Sequence, residues 1–295
     1  MRNRVASIVV TYNRLHLLQE CIYSLRNQTY EQMQIIVVNN GSTDGTSEWL
    51  KSQSDLFVIE QGNLGGAGGF FIGLKYACEH GYEYSWIMDD DVVVENNALE
   101  KLMQATQTGV DGFLCSRVLD IGGEQCNVPK VSIVKSEKTG ELLWGERLNK
   151  RLLRVDITSF VSVLFKNATI FKVGLPYREY FIWGDDTEFT GRISRQFPSY
   201  MVIDSIVIHK RKNQGVLSLF TENDRNRMRN YFYLYRNSIH CQHTMARRSL
   251  LFLYNFYQLL RLLLCGKFYA AYIICKGLIS AITFHPKIQY PQSNA

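Results

Sequence analysis

The alternation of apolar and polar positions opens as short buried strands separated by helices. Ser7-Ile8-Val9-Val10 is a brief apolar run suited to a parallel strand covered on both faces. Leu15, Leu18, Cys21, Ile22 and Leu25 then recur at helical spacing, and residues 34–38 form a second apolar run, completing a β-α-β unit. Turn and cap residues from Asn39 to Thr46 lead into a helix containing Trp49 and Leu50. Phe57-Val58-Ile59 is a third strand, the glycine-rich segment from Gly62 opens a helix ending near Glu79, and residues 84–88 form a fourth strand. The pattern predicts an α/β protein with a doubly wound, mainly parallel sheet, whose ligands bind beyond the carboxyl ends of the strands.

The later chain is less regular. Asn97 with Glu100 predicts a capped helix start. Residues 109–174 read as shorter β-like pieces such as 157–165, with 135–145 as a mobile surface loop to which no function is assigned. An acidic cluster heads a helix over 187–197, and a strand over 201–208 leads to His209. Beyond Asp224 the chain reads as helices. Asn255, Gln258 and Arg261 form a narrow polar stripe on an otherwise apolar segment, and Lys276 interrupts the next one. An amphipathic pair lying in a membrane surface is preferred, ahead of a helical pair packed on the rest of the protein and of a transmembrane hairpin, which needs about 20 apolar residues per span.

Candidate chemistry centres on Asp89-Asp90-Asp91, carboxylates set within an apolar run. In an extended chain Asp89 and Asp91 point one way and Asp90 the other, so two carboxylates converge and call for a hard divalent cation. Alone, such a run reads by default as a solvated acidic turn, and the apolar residues on both sides tip the reading to a metal site. Gly65, Gly66, Gly68 and Gly69 remove side chains at the start of a helix, where backbone could approach a phosphate or hydroxyl. A dinucleotide fingerprint is excluded, because the last glycine it needs is replaced by Phe71.

Charge is distributed unevenly. Residues 209–295 carry 13 Lys and Arg against 2 Asp and Glu, while residues 1–208 carry 20 against 25. With Tyr, Phe and Leu interleaved, the basic end suits an anionic membrane surface and not a nucleic acid. The cysteines lack metal-site or disulfide spacing, which suits the cytosol. The apolar run after Met1-Arg2-Asn3-Arg4 is too short for a signal peptide.

Thr11-Tyr12-Asn13-Arg14, the Asn39–Thr46 turn, Asp89-Asp90-Asp91 and Trp183-Gly184-Asp185-Asp186-Thr187-Glu188-Phe189 together resemble the inverting glycosyltransferases of family 2, which have the GT-A fold. The resemblance covers roughly residues 5–240. The glycine-rich segment and a histidine 23 residues after Asp186 are most similar to the galactofuranosyltransferase branch, which uses UDP-galactofuranose.

The resemblance implies that Asp89, Asp91 and His209 hold Mn²⁺ or Mg²⁺, although from the residues alone His209 reads as a solvated strand end beside Lys210, Arg211 and Lys212. It places Thr11, Asn13, Arg14 and Asp44 at the uridine, with turn chemistry an equal explanation of Asp44. Asp90 is directed to the ribose or sugar, and Trp183 and Tyr180 are either a sugar platform or core. Asp186 becomes the base that takes the acceptor proton, with Asp185 orienting the acceptor. A GT-A domain over 1–210, with a donor half to residue 95, would precede a membrane-associating helical region over 211–295. The start directly on the first strand, without the additional β domain of some polymerising relatives, points to transfer of single sugars to a glycan or lipid-linked glycan at the inner face of the cell membrane. The Tyr-rich segment 229–237 is expected to contact the acceptor's phosphate. The oligomeric state is left open. Transfer of rhamnose from dTDP and a non-catalytic nucleotide-binding scaffold are the alternatives.

Overall fold

The computed structural model describes residues 4–211 and 218–292. A 10-stranded mixed sheet runs through its centre. Strands β1 (Val5–Thr11), β2 (Met33–Asn39), β3 (Phe57–Glu60) and β4 (Tyr84–Asp89) pair in parallel, in the order β3-β2-β1-β4. Alternation divides their side chains: Val5, Val9, Ile35 and Val37 enter a core on one face, while Ala6, Ile8, Ile36 and Val38 enter a core on the other. Helix α1 (Leu15–Arg26) contributes Leu18 and Ile22 to the first core, and α3 (Gly65–Glu79) contributes Phe70 and Leu74 to the second. α2 (Thr46–Lys51) lies between β2 and β3.

The second half departs from simple winding. Strand β5 (Val92–Val94) follows the aspartates, and α4 (Ala98–Thr106) leads to β6 (Phe113–Leu119). The expected cap at Asn97 does not form: its side chain makes no capping hydrogen bond, and Glu100 accepts from Thr29 Oγ1 at 2.7 Å. β7 (Lys130–Val131) pairs with β8 (Leu152–Ile157), and β9 (Val163–Lys166) runs antiparallel between β4 and β6. The strand expected over 157–165 thus straddles the break between β8 and β9, where Thr158 and Ser162 are buried polar residues. Residues 135–145 fold back on themselves through a bridge between Lys135 and Leu142. α5 (Asn167–Val173) and α6 (Asp185–Ser194) cover the second core, α6 ending three residues before the expected Phe197.

β10 (Ser199–His209) begins earlier than expected and serves several partners. It is parallel to β6 over 200–202 and 206–208, antiparallel to β8 over 199–202 and antiparallel to β5 over 207–209. An irregularity between Val202 and Ile206 lets it change partners.

Helices α7 (Arg225–His240), α8 (Met245–Leu264) and α9 (Phe268–Thr283) share a third core built on Tyr231, Leu262, Ile273 and Ile274. The chain then returns to the sheet layers, where Leu175 N–H donates to Gln289 O at 2.8 Å. α8 buries only one residue of its polar stripe, since Arg261 is exposed. Asn255 is buried, while Leu250, Leu253, Tyr254, Tyr257 and Leu264, the last 89% exposed, point outward. Among the described residues no helix is long and apolar enough to cross a membrane, which removes the transmembrane hairpin.

Candidate functional site

β4 delivers Asp89 to the carboxyl edge of the sheet, and a two-residue turn through Asp90 and Asp91 reverses the chain into β5. The turn, and not the pleat of a continuous strand, sets the directions of the carboxylates. β5 pairs with the end of β10 so that His209 lies opposite Val92. That register places His209 Nε2 3.1 Å from Asp91 Oδ1, and one ligand atom each from Asp89, Asp91 and His209 lie within 4.8 Å of one another. Lys210 N–H donates to Asp91 O at 2.8 Å, fastening the junction, while Lys212 is outside the described residues.

The donor set fits a divalent cation. His209 Nδ1 is 2.9 Å from Asn127 Oδ1, which can only accept, so a proton is assigned to Nδ1, and a ring with no second proton presents a lone pair at Nε2. That lone pair faces Asp91 Oδ1, a buried oxygen without a hydrogen-bond partner. Two lone pairs at this distance require a proton or a metal ion between them, and mixed oxygen and nitrogen donors suit Mn²⁺ or Mg²⁺. Burial, then the charges of Asp91 and Asp90, pushes the Asp89 carboxyl well above the usual carboxylate range. Asp91 is held below that range despite its burial, by its contact with His209 and by Arg14. A cation would relieve the crowding.

Asp90 turns away from Asp89 and Asp91, into the protein. It is 3% exposed, accepts from Thr11 Oγ1 at 2.7 Å and from Arg14 Nη1 at 3.2 Å, and does not reach the cleft. Burial raises it to about 6 against the pull of Arg14 and Thr11. Thr11, itself buried, is committed to this bond, and Arg14 bridges Asp90 to Asp91 Oδ2 at 2.9 Å. Thr11 and Asp90 are thus both buried and bonded to each other. Asn13 takes up left-handed backbone (φ +53°) and its Oδ1 accepts from Thr43 N–H at 2.7 Å. Asp44 accepts from Leu15 N–H at 3.0 Å and Thr46 Oγ1 at 2.6 Å, so its turn chemistry is present.

Across a cleft of about 380 Å³ from Asp89, Asp91 and His209 lie Asp185 and Asp186, at the first turn of α6 behind Gly184 (φ +93°). Burial and then the charge of Asp186 raise Asp185 to about 8, and burial also raises Asp186, whose Oδ1 accepts from Thr187 N–H at 2.6 Å. Trp183, Arg14 and Gly66 line the same cleft. Tyr180 is fully buried against His240 and Phe284, so it is core. The glycines divide by role: a Cβ on Gly66 meets nothing within 4 Å, whereas one on Gly65 would lie 2.0 Å from Phe181 O, one on Gly68 2.5 Å from Leu64 Cβ and one on Gly69 2.3 Å from Val10 Cγ1. Gly65, Gly68 and Gly69 thus serve internal packing, and Gly66 alone among them opens toward the cleft.

Sequence reasoning missed Asn127, which lies in an irregular loop at φ +46° without a motif around it. It also missed a neighbouring cavity of about 600 Å³, where Arg14, Arg211, Arg227 and Asn230 meet. In the Tyr-rich segment, Tyr231, Arg236 and Asn237 turn inward and are buried.

The pattern of Glycosyl transferase family 2 matches residues 7–163, more than half of the chain. The chain belongs to that family. It is 27% identical over 206 residues to the galactofuranosyltransferase GlfT1 of Mycolicibacterium smegmatis, covering 65% of each protein. The same-named protein of Mycobacterium tuberculosis is 27% identical over 224 residues, covering 71% of each. The chain therefore spans about two thirds of the length of these relatives. A crystal structure of GalNAc-T7 with UDP, GalNAc and Mn²⁺ superposes with a TM-score of 0.56 at 15% identity, over 79% of this chain and 48% of that one, and shares the GT-A-type fold.

Proposed function

We propose that the protein is a metal-dependent inverting glycosyltransferase that moves galactofuranose from UDP-galactofuranose to a hydroxyl of a glycan or lipid-linked glycan. The observation that carries this is the opposition, across one cleft, of the Asp89, Asp91 and His209 cluster and the Asp185–Asp186 pair. A divalent cation held by Asp89, Asp91 and His209 would supply positive charge to the leaving diphosphate. Arg14, already charge-paired with Asp91, faces the same space. On the far side Asp186 takes the proton of the acceptor hydroxyl as it attacks the anomeric carbon, and Asp185 orients that hydroxyl. Raised carboxyls make stronger bases than ordinary ones. Trp183 and Gly66 shape the sugar-sized space between them.

The sugar assignment is supported by the similarity to the GlfT1 proteins; dTDP-rhamnose is the rival donor. Incubation with each donor separately in the presence of Mn²⁺, measuring nucleotide release, separates the two. Absence of release from the UDP donor contradicts the assignment. For the C-terminal region, the outward leucines and tyrosines of α8, beside the exposed Arg247, support attachment to an anionic membrane surface carrying the acceptor.

A further inference from the structure

The loop that leads into Asp185 and Asp186 has a conformation that L-residues avoid. Phe181 (φ +63°) and Trp183 (φ +62°) are both left-handed, just before Gly184. Such backbone persists only where its surroundings over-determine it, and it clusters at functional sites.

Two elements hold this loop from opposite sides. From α3, Ala67 N–H donates to Phe181 O at 3.1 Å, and only a glycine at position 65 leaves room for that oxygen. From α7, the buried amide of Asn237 is given over to the loop's backbone: Nδ2 lies 2.7 Å from Trp183 O, 3.0 Å from Tyr180 O and 3.2 Å from Ile182 O. An amide nitrogen has two hydrogens, so these three carbonyls share them. Arg236 Nε donates to Asn237 Oδ1 at 2.9 Å, fixing the amide's orientation, and Arg236 Nη2 donates to Glu179 O at 2.6 Å. Between them Asn237 and Ala67 N–H take up the carbonyls of residues 180–183. The grip ends at Trp183, two residues before Asp185, the first of the carboxylates that face the metal-ligand cluster.

We propose that Asn237 is a positioning residue for the Asp185–Asp186 pair, and that the C-terminal helices set the placement of the base through it. α7 lies beyond the family match at 7–163, yet it carries this clamp as well as Arg227 and Asn230 at the adjoining cavity. The C-terminal helices are then part of the catalytic apparatus as well as a membrane attachment. The inference rests on the glycosyltransferase reading for its kinetic consequence, and on geometry alone for the clamp.

The test compares the full chain with Asn237→Ala, measuring kcat, donor KM, UDP affinity and hydrogen–deuterium exchange over residues 178–187. A displacement of the base of about 1 Å predicts a loss of about 10- to 100-fold in kcat with UDP affinity within about twofold of the parent. Exchange should quicken over 178–187 and stay slow in β1 to β4. A folded Asn237→Ala protein with unchanged kcat and unchanged loop exchange overturns the proposal. If Asn237→Ala does not fold, Arg236→Lys keeps a cation over Phe284, now 3.8 Å from its ring centroid, but loses the fork that reaches Glu179. It should show the same pattern at about 3- to 10-fold, and its failure to do so overturns the proposal equally. A parent protein without transfer activity counts against the proposed function, and loop exchange in the variant then decides the clamp by itself.

Discussion

His209 turns Nε2 toward Asp91 Oδ1 at 3.1 Å, joining the last residue of β10 to the turn that follows β4. The contact exists because β5 pairs antiparallel with the end of β10, and Asn127 Oδ1 then decides which ring nitrogen carries the proton. Each consequence below can be checked separately.

Asn127 Oδ1 holds the His209 ring at Nδ1, the nitrogen turned away from Asp91. Replacing Asn127 by Ala should weaken Mn²⁺ binding about 10- to 100-fold while leaving the fold intact, the usual cost of losing a group that orients a metal-bound histidine. Titration calorimetry with Mn²⁺ measures it. Affinity equal to the parent would remove His209 from the ligand set.

Asp186→Asn keeps the shape of the side chain and removes its basicity. Transfer should fall about 10²- to 10⁴-fold with UDP and Mn²⁺ binding retained. Full activity in the variant would move the base elsewhere, with Asp185 the next residue to test.

The pH profile follows from the raised carboxyls. Asp185 lies at about 8 and Asp186 is also raised, burial being the first cause for each. A base must be ionised, so kcat should climb with pH and reach half its plateau above the ordinary carboxylate value of about 4, within a window that closes near 8. The same shift has a stability consequence. The folded protein holds these protons more tightly than the unfolded chain, so stability present at low pH is lost as pH rises through the folded-state values. A kcat that is flat from pH 5 to 8 would contradict the assignment.

Gly65→Ala adds a Cβ 2.0 Å from Phe181 O at a residue with φ +73°. Both effects act on the loop that carries the Asp185–Asp186 pair. Thermal unfolding should show a loss of more than about 1 kcal/mol, accompanied by lost activity. Gly66→Ala, which meets nothing within 4 Å, should be near neutral for stability.

The outward face of α8 predicts flotation with anionic liposomes that weakens as salt rises. Leu253→Asp combined with Leu264→Asp should abolish flotation while transfer to a soluble acceptor persists. Absence of flotation in the parent protein, or flotation indifferent to salt, would contradict an electrostatic attachment in the membrane plane.

What could be read from the sequence follows the range of the interactions. β1 to β4 with α1 and α3 were legible because each declares itself through a local period of apolar residues, and the parallel order follows from their alternation. β5, β8 and β9 were not, since short strands depend on distant partners: Val92 is defined by His209, and Val163 by Ile87 and Cys115. The site divides in the same way. Asp89, Asp91, Asp185 and Asp186 stand out as charges in apolar or aromatic surroundings. The inward commitment of Asp90 to Thr11 and Arg14 arises from a tight turn, where strand alternation no longer applies. Asn127 and Asn237 have no local pattern at all. Their roles are fixed by a histidine 82 residues away and by a loop more than 50 residues away.

The most direct test of the central claim is calorimetric titration of UDP into the parent protein with Mn²⁺ and with EDTA, repeated on Asp91→Asn. Metal held by Asp89, Asp91 and His209 predicts at least about tenfold tighter UDP binding with Mn²⁺, a gain that Asp91→Asn abolishes. UDP binding of equal strength in EDTA, or a metal-dependent gain that survives Asp91→Asn, would contradict it.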